Sequence, residues 1–214
     1  MNDLYMDIGW GSLNKYGEQL CGDHVDVLEQ DGDSAVVVLA DGLGSGVKAN
    51  ILSTLTAKII STMIAEGLGV EECVATIAAT LPVCAVRGIA YSTFTIIRIV
   101  DNGKAEIIQY DNPHVILLRA GTNHEIPSTR MNIDGKEILY SRIALCENDV
   151  FIAVSDGAVH AGIGHMLNFG WERKDIIAFM EPLSRGGYTA KTLTTMLLDQ
   201  CNRLYGGKPR DDAT

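Results

Sequence analysis

The chain has 214 residues, 47% of them apolar and 21% charged, enough to bury one sizeable core in one domain. A formal net charge of −10 argues against a nucleic-acid partner, because backbone phosphates need a basic footprint. No apolar run approaches the roughly 18 residues of a membrane helix. MNDLYMDIGW carries no signal-peptide pattern, and the five scattered cysteines include no C-x-x-C pair, so a cytoplasmic protein with reduced thiols is expected.

The first third alternates short apolar runs with turn signals. Val25–Glu29 and Ala35–Ala40 flank Gln30-Asp31-Gly32-Asp33, a hairpin signal. Ala35–Ala40 is apolar throughout and reads as a strand covered on both faces. Val47, Ile51, Leu55, Ile59 and Met63 then recur every four residues, with Leu52, Ile60 and Ile64 beside them, which predicts a helix ending near Glu66-Gly67. A second helical pattern, Val74 to Leu81, stops at Pro82.

The middle returns to strands: Tyr91–Val100, a turn at Asp101-Asn102-Gly103, then Ala105–Tyr110, Val115–Arg119, Lys136–Ile143 and Val150–Val154. Ala120–Asp134 reads as a loop. Beyond Asp156-Gly157 the pattern is helical, with one segment at Ile176–Met180 broken by Pro182. A last helix carries the stripe Leu193, Met196, Leu197, Cys201 and Leu204. This order favours two sheets packed face to face with helices outside.

Acidic groups stand at comparable places. Asp41 follows VVVLA and Asp156 follows FIAVS, each with glycine next. Asp23 lies in CGD before a strand, and Asp211-Asp212 follow the last helix. A carboxylate at the end of a buried strand is costly unless paired or metal-bound, and a following glycine lets a carbonyl approach an ion. Asp-Gly is also ordinary turn chemistry, and spacing alone leaves both readings open. An oxygen-only donor set suits Mg²⁺ or Mn²⁺ rather than Zn²⁺.

Other candidates carry less. His24 points away from Asp23 along an alternating strand, and His114 reads as loop packing. His160 and His165 read as solvated helix residues, and Arg87 and Arg185 as salt-bridge partners. Gly42, Gly44 and Gly46 do not fit G-x-G-x-x-G, and Lys48 is not followed by Ser or Thr, so nucleotide-loop patterns fail.

In this order and spacing, LNKYGEQLCGD, LADGLGSG, SDG and KPRDDAT resemble the bacterial PPM/PP2C-type protein phosphatases, in the SpoIIE-like branch that includes the RsbX type. The resemblance spans essentially the whole chain, 1–214, as a single domain. It implies an α+β fold, a four-layer α-β-β-α sandwich of two mainly antiparallel sheets flanked by helices, with two Mn²⁺ or Mg²⁺ ions at one end. Carried over, Asp41 would bridge both ions, the Gly42 carbonyl would complete one shell, and Asp156 and Asp211 would ligate the second. Asp23 would orient the bridging water or hold metal-bound water, and Asp212 is the lesser ligand of its pair. The implied reaction is attack of metal-bridging hydroxide on phosphoserine or phosphothreonine of a bacterial regulatory protein, of the anti-sigma-antagonist kind.

Departures are visible. Leu43 stands where animal-type relatives have a histidine proposed as general acid. The phosphate-binding arginine has no counterpart beyond Lys15. The family continues past DDAT into a final strand, so little anchoring and incomplete metal occupancy are expected at Asp211. These departures motivate the alternative of a non-catalytic phosphoprotein-binding module.

Overall fold

The computed structural model describes residues 4–30, 33–80, 92–133 and 135–214. β1 (Asp23–Gln30) and β2 (Ser34–Gly42) form the expected hairpin in the register Asp23↔Asp41 to Gln30↔Ser34. Asp31 and Gly32 lie outside the described residues, as do Pro82, Cys84, Arg87, Tyr91 and Asp134. α1 (Gly46–Ala65) and α2 (Val70–Thr80) follow, then β3 (Ser92–Val100), β4 (Lys104–Tyr110) and β5 (Ile116–Arg119). Next come β6 (Thr122–His124), β7 (Thr129–Ile133), β8 (Lys136–Ala144) and β9 (Val150–Ile152). The chain closes with α3 (Asp156–Val159), α4 (Arg173–Ser184) and α5 (Ala190–Leu204).

The strands build two antiparallel sheets, six-stranded β1-β2-β3-β4-β8-β7 and three-stranded β6-β5-β9. One core lies between the large sheet and α1 and α2, with Val36, Val38, Phe94, Ile96 and Ile108 against Ile60, Ile64 and Ile77. A second joins Ile116 and Leu118 of the small sheet to Ile176, Met180, Leu193 and Leu197 of α4 and α5. Side chains alternate along a strand. Ile107 and Leu117 are buried yet belong to neither outer core, so they fill the space between the sheets. The expected four-layer α-β-β-α sandwich is what forms.

Several local expectations need correction. The helix of the expected length is present, but Val47, Ile51 and Leu55 are exposed, while Ala49, Leu52, Thr56, Ala57, Ile60 and Ile64 are buried. A four-residue spacing gains about 40° per step on a 3.6-residue turn, so the row from Val47 to Met63 winds from solvent onto the core. Ile51→Lys should therefore change unfolding free energy by less than about 0.5 kcal/mol. Ile60→Ala should cost about 2–5 kcal/mol. Urea denaturation of the two variants checks the assignment.

The expected loop at Ala120–Asp134 instead holds β6 and β7. Both are short and largely exposed, so neither carries an apolar alternation to read. Ala120 (φ 50°) and Gly121 (φ 74°) make the two-residue turn between Arg119 and Thr122, where a hairpin needs left-handed backbone at both positions. Arg185 Nε and Nη2 donate to the Gly121 carbonyl rather than to a carboxylate. α4 runs through Pro182, which falls in its last turn, where a missing N–H costs little more than one bond. α3 is a single turn, so His165 lies beyond it, with its ring beside Gly206.

Candidate active site at one end of the sheets

The β1–β2 register sets Asp23 directly opposite Asp41, which places two carboxylates side by side at one end of the large sheet. On its other flank Asp41 pairs with Thr93, and Ser92 Oγ donates to the Asp41 carbonyl at 3.0 Å. Gly42 continues β2 and does not turn the chain; its N–H donates to the Gly22 carbonyl at 3.2 Å. A Cβ at Gly42 would lie 2.7 Å from that Gly22 oxygen and collide with the Ala49 carbonyl of α1. The turn is made further on, by the left-handed Gly44 (φ 95°) and Gly46 (φ 75°).

Asp156 reaches the same place from the small sheet, as the exposed first residue of α3. Its neighbour Gly157 packs so closely on the C-terminal segment that a Cβ would collide with the Asp212 carbonyl. Tyr205 Oη fixes this turn by donating to the Gly157 carbonyl at 2.6 Å. Gly157→Ala should destabilise the fold by about 3 kcal/mol, because the blocking atom is backbone and cannot step aside. Chemical denaturation reads that loss.

The C-terminal segment is held firmly, contrary to the little anchoring expected at Asp211. Leu13 and Ala213 exchange two backbone hydrogen bonds, at 2.7 and 2.9 Å. Ser155 N–H donates to the Thr214 carbonyl, and Thr214 N–H donates to Ser155 Oγ, both at 3.0 Å. Lys15 N–H donates to Asp212 Oδ1 at 2.9 Å, and Tyr16 N–H to the Pro209 carbonyl at 2.7 Å.

The electrostatics of this corner are unbalanced. Asp41 is pushed up to about 9, first by desolvation and then by the charges of Asp23, Asp156 and Asp211. Asp23, 4% exposed, is pushed up to about 6 by burial, against the pull of the Ser155 and Thr214 hydroxyls. Asp211 is raised by burial and by Asp156, with the Asp212 N–H and Lys15 working the other way. Burial beside Asp23 raises the Cys21 thiol to about 12, so it stays protonated. Among the described residues no ion pair neutralises Asp23, Asp41, Asp156 or Asp211. Asp23 Oδ2 and Asp212 Oδ2 are buried without a hydrogen-bond partner. An orphaned buried carboxylate oxygen is costly unless something else binds it.

Residues 31–214 match the family model described as Stage II sporulation protein E (SpoIIE). The chain belongs to the SpoIIE family. It is similar to the PP2C phosphatase domain, with a fragment of the regulatory domain, of the cell-fate determinant SpoIIE from Bacillus subtilis. That match has a TM-score of 0.75 and 19% identity, and covers 96% of this chain and 60% of that one. RsbX in complex with magnesium matches at TM-score 0.62 and 19% identity, covering 95% of this chain and 89% of that one. The S. agalactiae serine/threonine phosphatase matches at TM-score 0.69 and 16% identity, covering 98% and 97%. At such identities the likeness shows the PP2C fold. No curated protein matches the sequence.

Within this SpoIIE-family chain, Asp23, Asp41, Asp156 and Asp211 share one end of the molecule and influence one another's charge. They do not form a closed ligand shell: among the described residues no three His, Cys, Asp or Glu side chains converge tightly enough to hold an ion as they stand. The donor set nevertheless fits a hard divalent cation, being all oxygen, over-crowded with negative charge and carrying orphaned buried atoms. Asp212 is turned inward; a Cβ on Gly22 would lie 2.8 Å from its Oδ2. Sequence reasoning overlooked Ser155, Thr214 and Tyr205. The first two sit inside the quoted SDG and DDAT stretches, whereas nothing local marks Tyr205. His24 is the next residue along β1 from Asp23, and His114 is exposed with its carbonyl accepting from Arg173.

Proposed function

We propose that this chain is a divalent-metal-dependent phosphatase acting on phosphoserine or phosphothreonine of a regulatory protein. The observation that carries the reading is the pairing of Asp23 with Asp41, crowded by Asp156 and Asp211, with no ion pair to any of the four among the described residues. Asp41, Asp156 and Asp211, with Asp23 and the Gly42 carbonyl, would hold Mn²⁺ or Mg²⁺. The cation, when bound, supplies the positive charge that draws in phosphate and activates water. Support for magnesium or manganese comes from the donor chemistry and from the magnesium complex of the similar RsbX.

The chain's own residues do the rest. Asp23, buried and beside Ser155 and Thr214, is fixed as the inner wall of the site. Lys15, whose charge already acts on Asp211, is the basic residue assigned in this reading to meet the arriving phosphate. Hydrolysis breaks the P–O bond to the serine oxygen, water supplies the new oxygen on phosphorus, and the serine oxygen takes a proton. Half-buried Leu43 carries no proton for that step, so the donor is another group. The proposed action is on a protein substrate in the cytoplasm; no described helix is long and apolar enough to cross a membrane.

A second reading, a phosphoprotein-binding module without turnover, is favoured by the open arrangement of the carboxylates. Purified protein incubated with Mn²⁺ and p-nitrophenyl phosphate separates the two. The phosphatase reading expects release of p-nitrophenol that stops on addition of chelator. Phosphopeptide capture with no release would favour the binding module.

A further inference from the structure

A cavity of about 410 Å³ opens where β4 ends, lined by residues 109–112 with His114, Glu137 and Leu139. Its place relative to the carboxylates follows from the sheet register. Phe94↔Tyr110 is the last pair of the β3–β4 ladder; Asp111 follows Tyr110 just as Thr93 precedes Phe94, and Thr93 pairs with Asp41. Thr93 Oγ1 also donates to Asn112 Oδ1 at 3.3 Å. Two strand spacings put Asp111 about 10 Å from Asp41.

The cleft has a fixed neutral floor and a negative wall. Asn112 Nδ2 donates to Thr95 Oγ1 at 3.1 Å, Gln109 Nε2 to the Pro113 carbonyl at 2.8 Å, and Val115 N–H to Gln109 Oε1 at 3.3 Å. Asp111 is exposed and has no hydrogen bond or ion pair among the described residues. Its backbone is held left-handed at φ 48°, a conformation that most side chains avoid and that turns this carboxylate out of the strand. Glu137 is paired with exposed Arg130 at 3.4 Å, and Arg173 is engaged with the carbonyls of His114 and Val115. Among the described residues the lining holds two carboxylates, of which Glu137 is paired with Arg130 and Asp111 is not, and no Lys or Arg.

We propose that this cleft receives an arginine or lysine side chain of the phosphoprotein substrate, with Asp111 as its main charge partner. The proposal rests on the phosphatase reading and deepens it by naming a feature of the substrate. An extended chain advances about 3.3 Å per residue, so the basic residue belongs about three positions from the phosphoserine.

The test uses neutral phosphoserine peptides carrying a single arginine, scanned from five positions before the phosphoserine to five after it. Wild type should show a kcat/KM maximum of roughly fivefold, expressed in KM, at about the third position on one side. Asp111→Asn, which keeps a residue tolerant of left-handed backbone, should flatten that maximum and leave p-nitrophenyl phosphate hydrolysis unchanged. Glu137→Gln should flatten it partly. No positional maximum, or an Asp111→Asn loss equal for all peptides and for p-nitrophenyl phosphate, would overturn the proposal. Should no phosphate be released from any substrate, the phosphatase reading fails by itself. Fluorescence anisotropy on the same peptides then decides the cleft: arginine-dependent binding lost in Asp111→Asn supports it, and equal binding by both proteins refutes it.

Discussion

Asp41→Asn is expected to lower phosphatase activity by roughly 10²–10³-fold or more, the scale on which removing one preorganised electrostatic group acts. The same substitution should raise the melting temperature of the metal-free protein. Asp41 is a largely desolvated carboxyl facing Asp23, Asp156 and Asp211, and these together push it up to about 9. At neutral pH folding must therefore bring a proton onto Asp41 that the unfolded chain does not hold, and an amide of the same shape avoids that cost. A gain of about 1 kcal/mol corresponds to roughly 2–4 °C in a chain of this size. Activity lost with stability gained is the signature of a group kept for chemistry at the expense of folding. Calorimetry and a p-nitrophenyl phosphate assay on one preparation read both. A variant that loses stability and activity together would indicate a structural role for Asp41 instead.

The second large effect is the pH dependence of metal-free stability. Asp41 and Asp23 are raised from 3.8 to about 9 and about 6, so between these limits the folded protein binds more protons than the unfolded chain. Stability from these groups is complete below about pH 4 and is lost as pH rises towards 9. Glu106 has the opposite sign. Burial acts to raise it but is outweighed by Arg142 and Arg98, so it ends lowered, and its contribution fades only on acidification. Metal-free protein should therefore melt lower at pH 8.5 than at pH 5.5. A divalent cation replaces those protons. At about 100-fold its Kd it contributes roughly 2.7 kcal/mol, a rise of about 5–10 °C. That rise should be larger at pH 8.5 than at pH 5.5. Melting curves with Mn²⁺ and with chelator at the two pH values check it, and equal shifts would count against the buried carboxylates as the binding groups.

The parts of the molecule legible in the sequence are those whose signals are local. The β1–β2 hairpin shows in two apolar runs with an Asp-Gly signal between them, and Asp41 and Asp156 show because an acid at the end of an apolar strand demands a partner. What was hidden depends on packing between distant segments. β6 and β7 are exposed strands without apolar periodicity, and they exist because β5 and β8 offer them edges. The apolar row on α1 is real, but which part faces the sheet depends on helix rotation, and Val47, Ile51 and Leu55 end in solvent. The firm seating of Asp211 and Asp212 could not be read, since it comes from residues 12–16 returning beside the C-terminal segment. Asp212, read as the lesser of two ligands, proves to be a buried acceptor for the Lys15 N–H.

The most direct test of the account follows phosphate release from a phosphoserine peptide while Mn²⁺ is titrated into metal-free protein, with bound Mn²⁺ measured in parallel. Release should be absent without metal, rise with occupancy, and vanish in Asp41→Asn together with tight Mn²⁺ binding. Release that persists in chelator, or Mn²⁺ bound equally well by Asp41→Asn, would contradict the carboxylate-held metal at the centre of the reading.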